Sequence, residues 1–212
     1  GWERMKSLDY QFSKIAADAR EGRYEVLTLA ECGKAFAERF KETPVTTTLA
    51  LGSFENDREG SVWYENKNYR ISYYYSKEKF LIRDVYLFDE NYRERYLDKI
   101  LTTHDYAYDN LPFIDGYLFG GDGIQAGLYL YKDGEEIKFD NLKYREIDDE
   151  TVEILVSADK GEFSFVSSPD GISVAGDGEF ALVVKARIYP YVRNISQNGV
   201  AFAFNGFEYK IR

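Results

Sequence analysis

The chain has 212 residues, of which 44% are hydrophobic, 30% charged and 17% aromatic, enough apolar material for a packed core and too much for wholesale disorder. Its formal charge is −10, with 27 Lys plus Arg against 37 Asp plus Glu, and no long basic stretch supplies a phosphate-binding footprint, so nucleic acid is not an expected partner. The longest apolar runs, such as 180–184, are five residues against the roughly 20 of a membrane-spanning helix, so no membrane insertion is expected.

Trp2, Met5, Leu8, Phe12, Ile15 and Ala19 recur at spacings of three and four, which predicts a helix ending at Gly22. Residues 24–27, YEVL, read as a short strand. Thr28 followed three residues later by Glu31 forms a capping box that opens a second helix. The apolar stripe of that helix is Leu29, Cys32, Phe36 and Phe40, with Cys32 expected on the buried side, and Pro44 ends it before Thr43. After Pro44 the period switches to alternation, with Val45, Thr47, Leu49 and Leu51 facing one way. The boundary therefore falls there, between a helical segment over 1–44 and a β domain over 45–212.

In the β domain, a strand around 62–64 precedes two aromatic-rich runs, 69–75 and 80–88, that read as a hairpin. Residues 89–100 have the composition of a short helical insertion. Seven Asp-Gly or Asn-Gly pairs, starting at Asp115, Asp122, Asp133, Asp170, Asp177, Asn198 and Asn205, all lie beyond residue 114. These dipeptides accept the positive φ angles of tight hairpins. Strands are predicted at 124–131, 136–139, 151–157, 163–167, 172–175, 180–189, 200–204 and 207–212. In the last, Phe207, Tyr209 and Ile211 share one face and Glu208, Lys210 and Arg212 the other. The predicted fold is mainly β: an antiparallel, supersandwich-like β-sandwich preceded by a short two-helix N-terminal segment.

The chemistry is sparse. One cysteine, Cys32, closes no intrachain disulfide and builds no thiolate cluster, and one histidine, His104, rules out a His-pair metal site. Adjacent residues of an extended segment face opposite ways, so His104 and Asp105 do not read as a base with its orienting carboxylate. The spacing over 105–123 departs from that of a calcium loop, and its glycines from those of a P-loop or dinucleotide fingerprint. No cofactor, metal ligand or catalytic residue is assigned.

Two features carry more information. In FLIRDVYLF, Asp84 falls among Phe80, Ile82, Tyr86 and Phe88, while Arg83 falls among Leu81, Val85 and Leu87. Each charge interrupts an apolar face and so requires a counter-ion, a hydrogen-bonding network or solvent. Such charges either pair across neighbouring strands or line a site for a sugar, a carboxylate or a partner. The second feature is the count of 19 Tyr, 15 Phe and 2 Trp. Three consecutive tyrosines at 73–75 cannot share one core, and Tyr74 must point away from Tyr73 and Tyr75. Core packing and an exposed stacking or interdomain surface are both open readings. The candidate ligand-binding residues are Trp63, Tyr64, Tyr74, Arg83, Asp84 and His104.

The opening amphipathic helix followed by GRYEVLTLAECGKAFAERF resembles the closing strand-and-helix unit of a bacterial polysaccharide-deacetylase-like or glycoside-hydrolase (β/α) barrel, over about the first 43 residues. A β-sandwich directly after it is similar to the sandwiches that follow catalytic barrels in glycoside hydrolases. The barrel's metal-binding and catalytic carboxylate motifs have no matching positions, so no catalytic residue is carried over. The resemblance implies a noncatalytic, C-terminal accessory part of a carbohydrate-active protein. Its expected partners are carbohydrate and an N-terminal catalytic domain of the same natural chain. A small stand-alone enzyme using Asp84 and Asp105 with His104 or Arg83, and a purely structural or protein-interaction domain, are the alternatives.

Overall fold

The computed structural model describes residues 2–52, 58–93, 95–103, 111–196 and 199–212. The chain divides into two compact units, residues 1–43 and 44–212.

The first unit holds α1 (Trp2–Arg20) and α2 (Leu29–Arg39). The capping box forms as its sequence requires: Thr28 Oγ1 accepts from the Glu31 amide, and the Glu31 carboxylate accepts from the Thr28 amide. Residues 24–27 form no strand. Asp18 is buried, and its carboxylate accepts hydrogen bonds from Lys14 at 2.6 Å, Arg23 at 2.6 Å and the Tyr24 hydroxyl at 2.8 Å. This junction ties the segment after α1 back onto the helix and uses Tyr24 as a tether, leaving it no ladder to join. Within this unit neither predicted apolar stripe is covered at its described residues. Met5, Leu8, Phe12 and Ile15 are exposed, as are Leu29 and Phe36, and Cys32, expected on a buried stripe, is exposed with them.

The second unit is an antiparallel β-sandwich. Its strands are β1 (Thr46–Leu51), β2 (Glu59–Glu65), β3 (Tyr69–Ser76), β4 (Lys79–Leu87), β5 (Leu111–Ile114), β6 (Gly127–Lys132), β7 (Glu135–Glu136), β8 (Phe139–Glu146), β9 (Val152–Ala158), β10 (Gly161–Ser168), β11 (Gly171–Gly176), β12 (Ala181–Lys185), β13 (Val192–Ser196), β14 (Gly199–Phe204) and β15 (Phe207–Ile211). The large sheet runs β1-β2-β3-β4-β6-β12, with β5 paired to β4 and β7 to β6; the second runs β11-β10-β9-β8, and the third β13-β14-β15. Strands β5, β8 and β13 have no counterpart in the sequence reading, because LPFI is short, FDNLKYRE is polar on one face, and VRNIS carries no apolar alternation. Among the described residues, the expected helix over 89–100 is reduced to one 3₁₀ turn, Arg95–Leu97. Asp133–Gly134 and Asn205–Gly206 take positive φ at both positions (54° and 78°, 47° and 83°) and close the β6–β7 and β14–β15 hairpins. Asp115–Gly116 instead opens a turn in which Phe119 N donates to the Asp115 carbonyl.

The core lies between the large sheet and the second. Val62, Tyr64, Tyr69, Ile71, Tyr73, Phe80, Ile82 and Val85 meet Phe139, Val152, Ile154, Val156, Phe163 and Phe165. Tyrosine hydroxyls cross the gap: Tyr64 donates to the Glu150 carbonyl, Tyr69 to the Ser168 and Gly171 carbonyls, and Tyr73 shares a 2.7 Å bond with Ser167 Oγ. An aromatic cluster joins the third sheet, with Phe202 against Phe113, Tyr189 and Tyr209, and the Tyr209 hydroxyl donating to the Pro112 carbonyl at 2.6 Å.

Candidate functional site

The site grows from a register shift. β3 and β4 pair Ser72 with Asp84 and then Tyr73 with Ile82, leaving Arg83 as the extra residue of a β-bulge. Strict alternation would put Arg83 and Asp84 on opposite faces. With the bulge, Phe80, Ile82, Val85 and Leu87 all contribute to the core, and both charges turn to the face away from it. This corrects the expected face sharing of the strand, in which Tyr86 accompanied Ile82 and Arg83 accompanied Val85. The physical reason is the cost of burying an unpaired ion: one inserted residue keeps four apolar side chains on the core face and puts both charges on the other, where they pair.

On that outer face, cross-strand register assembles a grid. Trp63 pairs with Ser72, and Arg70 with Tyr86. Arg83 lies over the Tyr74 ring at 5.1 Å and the Trp63 ring at 5.5 Å, and Arg70 lies over Trp63 at 5.3 Å and Tyr86 at 4.9 Å. Two guanidiniums thus alternate with three aromatic rings, each contact contributing about 0.5–1 kcal/mol where exposed and more where desolvated. Arg83 Nε donates to Asp84 Oδ2 at 2.7 Å, and the Gly116 amide donates to Asp84 Oδ1 at 3.0 Å. Gly116 is required by close approach, since a Cβ there would lie 2.3 Å from Arg83 Cγ. Asp115 Oδ1 accepts from the amides of Tyr117 and Leu118, which fixes the adjoining turn.

The result is a cleft of about 410 Å³ lined by Trp63, Arg70, Arg83, Asp84, Tyr86, Asp115, Gly116 and Tyr117. Tyr117 stands at its rim, 90% exposed. Ser72 lies on the same face between Trp63 and Asp84, fully buried, and its hydroxyl has no hydrogen-bond partner. Burial is the main cause that raises the Tyr74 phenol above its ordinary value, assisted by its hydrogen bond to Glu59.

Of the residues singled out from the sequence, Trp63, Arg83 and Asp84 line this cleft, and Tyr74 stacks on Arg83. Tyr64 does not belong: it faces the core, is fully buried, and spends its hydroxyl on the Glu150 carbonyl. Its parity on β2 opposite to Trp63 is the reason. His104 and Asp105 lie outside the described residues. Arg70, Tyr86, Asp115, Gly116 and Tyr117 were not picked out. Arg70 was legible, since in YRISYYY it shares parity with Tyr74. Asp115, Gly116 and Tyr117 arrive from a separate turn, and no local pattern predicts that. Among the described residues no cluster of three or more His, Cys, Asp or Glu side chains is arranged to hold a metal ion; Asp122, in the stretch considered for a cation, pairs with Arg187.

A second, wider groove of about 1260 Å³ runs beside the β3–β4 turn, where Lys77, Lys79 and Lys138 stand among Glu78, Asp140 and Asp159. Its charges are mixed in sign, and the Lys138 backbone amide donates to Asp159 Oδ1 at 2.8 Å. No protein-family model, curated protein or solved structure matches the chain significantly.

Proposed function

We propose that the β unit is a noncatalytic glycan-binding module and that the chain serves as an accessory part of a larger carbohydrate-active protein. The observation that supports this reading is the cleft itself: flat apolar rings, Trp63 and the exposed Tyr117, beside an Arg83–Asp84 pair held at the bulge. A sugar ring offers an apolar face and a rim of hydroxyls, and this combination complements both. The uncovered stripes on α1 and α2 support the accessory role, because exposed apolar rows of this kind are characteristic of contact surfaces. The stand-alone enzyme has less support. Asp84 accepts from Arg83 and the Gly116 amide and so holds an ion pair, and Asp115, the second carboxylate of the cleft, accepts from the amides of its own turn, whereas glycoside cleavage needs two carboxylates facing each other across the sugar.

Titration with a panel of soluble glycans, followed by tryptophan fluorescence and amide shifts near Trp63, tests the proposal. One class of glycan is expected to bind. Tyr117→Ala should weaken it about three- to tenfold, the scale of one lost aromatic contact, without lowering the melting temperature, because this side chain is 90% exposed. Absence of any glycan-induced change would sink the reading.

A further inference from the structure

The two cations of the cleft are partnered unequally. Its carboxylates are engaged within the protein: Asp84 accepts from Arg83 Nε at 2.7 Å and the Gly116 amide at 3.0 Å, and Asp115 Oδ1 accepts from the amides of Tyr117 at 2.8 Å and Leu118 at 2.6 Å. Arg70 has no comparable partner. Arg70 Nε is buried and has no hydrogen-bond partner, and the fully buried Ser72 hydroxyl has none either. Arg70 is held by stacking on Trp63 and Tyr86, and its one ion-pair contact among the described residues is Glu65 at 3.7 Å, beyond hydrogen-bond reach. Its side chain remains 32% exposed and lines the cleft. Arg83, by contrast, is already neutralised by Asp84.

What the Arg70 guanidinium lacks, among the described residues, is an anionic partner within hydrogen-bond distance. Resting on the glycan-binding reading above, we propose that its ligand is an acidic sugar, a uronic acid residue whose carboxylate pairs with the Arg70 guanidinium while its ring lies against Trp63. The planar fork of a guanidinium matches a carboxylate in two parallel N–H···O bonds. Stacking fixes the plane of that fork before the ligand arrives, which lowers the ordering cost of binding. Glu65 then acts as a weak internal competitor for the same charge.

The test measures affinity of the whole chain, by calorimetry, for oligomers of galacturonate, glucuronate and mannuronate, each beside its carboxyl-reduced counterpart of equal length. One acidic oligomer is expected to bind about tenfold tighter than its neutral counterpart, the scale of one hydrogen bond to a charged group, and to weaken with added salt. Arg70→Gln should bring the acid down to the affinity of its neutral counterpart, with folding checked by thermal melting. Glu65→Gln leaves the stack in place and should tighten the acid alone. Equal affinity for acid and neutral forms would overturn the acidic-sugar inference while leaving glycan binding intact, and so would a sulfated oligosaccharide that outcompetes the uronates or a Glu65→Gln variant with unchanged affinity. If no oligomer binds, acidic or neutral, the glycan-binding reading fails and the inference falls with it.

Discussion

Asp84 is the residue on which the outer-face site turns. It is 8% exposed and accepts one hydrogen bond from a guanidinium and one from a backbone amide. Asp84→Asn keeps the shape but turns one acceptor into a donor facing a donor, so we expect a loss of about 1–3 kcal/mol in chemical denaturation. A wild-type melting curve would show that the pairing contributes nothing to the fold. The requirement that Arg83 and Asp84 find partners was legible in FLIRDVYLF. How they find them was not, because a bulge is a feature of the pairing between two strands and leaves no mark in either alone.

At the scale of elements, the helices of the first unit show local signals acting without tertiary help. The Thr28–Glu31 box and the three-and-four spacing of apolar residues suffice to form α2, yet none of its residues is buried. Among the described residues of that unit, Asp18 provides the one buried polar junction. The ammonium of Lys14, followed by the Tyr24 hydroxyl, holds its carboxyl below the ordinary value of about 3.9. A depressed folded-state pKa means that the stabilisation is complete above the unfolded value and disappears as pH falls through the folded one. Amide exchange of residues 21–24 should therefore accelerate below about pH 4, whereas Asp18→Asn should exchange fast at every pH. Equal protection in the two proteins at pH 7 would show that the junction is not what holds the segment.

Over the whole β unit, tyrosine is the material of the fold as well as of the cleft. Burial raises the phenols of Tyr69, Tyr73, Tyr189 and Tyr209 above their ordinary value. A raised folded-state pKa leaves stability intact below the unfolded value and erodes it as pH rises beyond, so the denaturation midpoint should hold steady to about pH 10 and fall above it. A midpoint unchanged at pH 11 would contradict burial of these hydroxyls.

The mainly β class, the antiparallel pairing and the parity of Tyr73 against Tyr74 were all determined by sequence, because alternation and turn dipeptides are local and a strand can turn only two faces. The polar β8 escaped that logic, since its partners β9 and the core supply the reason for it to be a strand. Which tyrosines became core and which became surface depended on the partner sheet: Tyr64 and Trp63 are neighbours, and only the position of β9 and β10 makes one of them buried. The cleft was decided later still, when the turn at Asp115–Tyr117 met the bulge of β4, a contact across 32 residues that the energetics of one buried carboxylate select and no local pattern encodes.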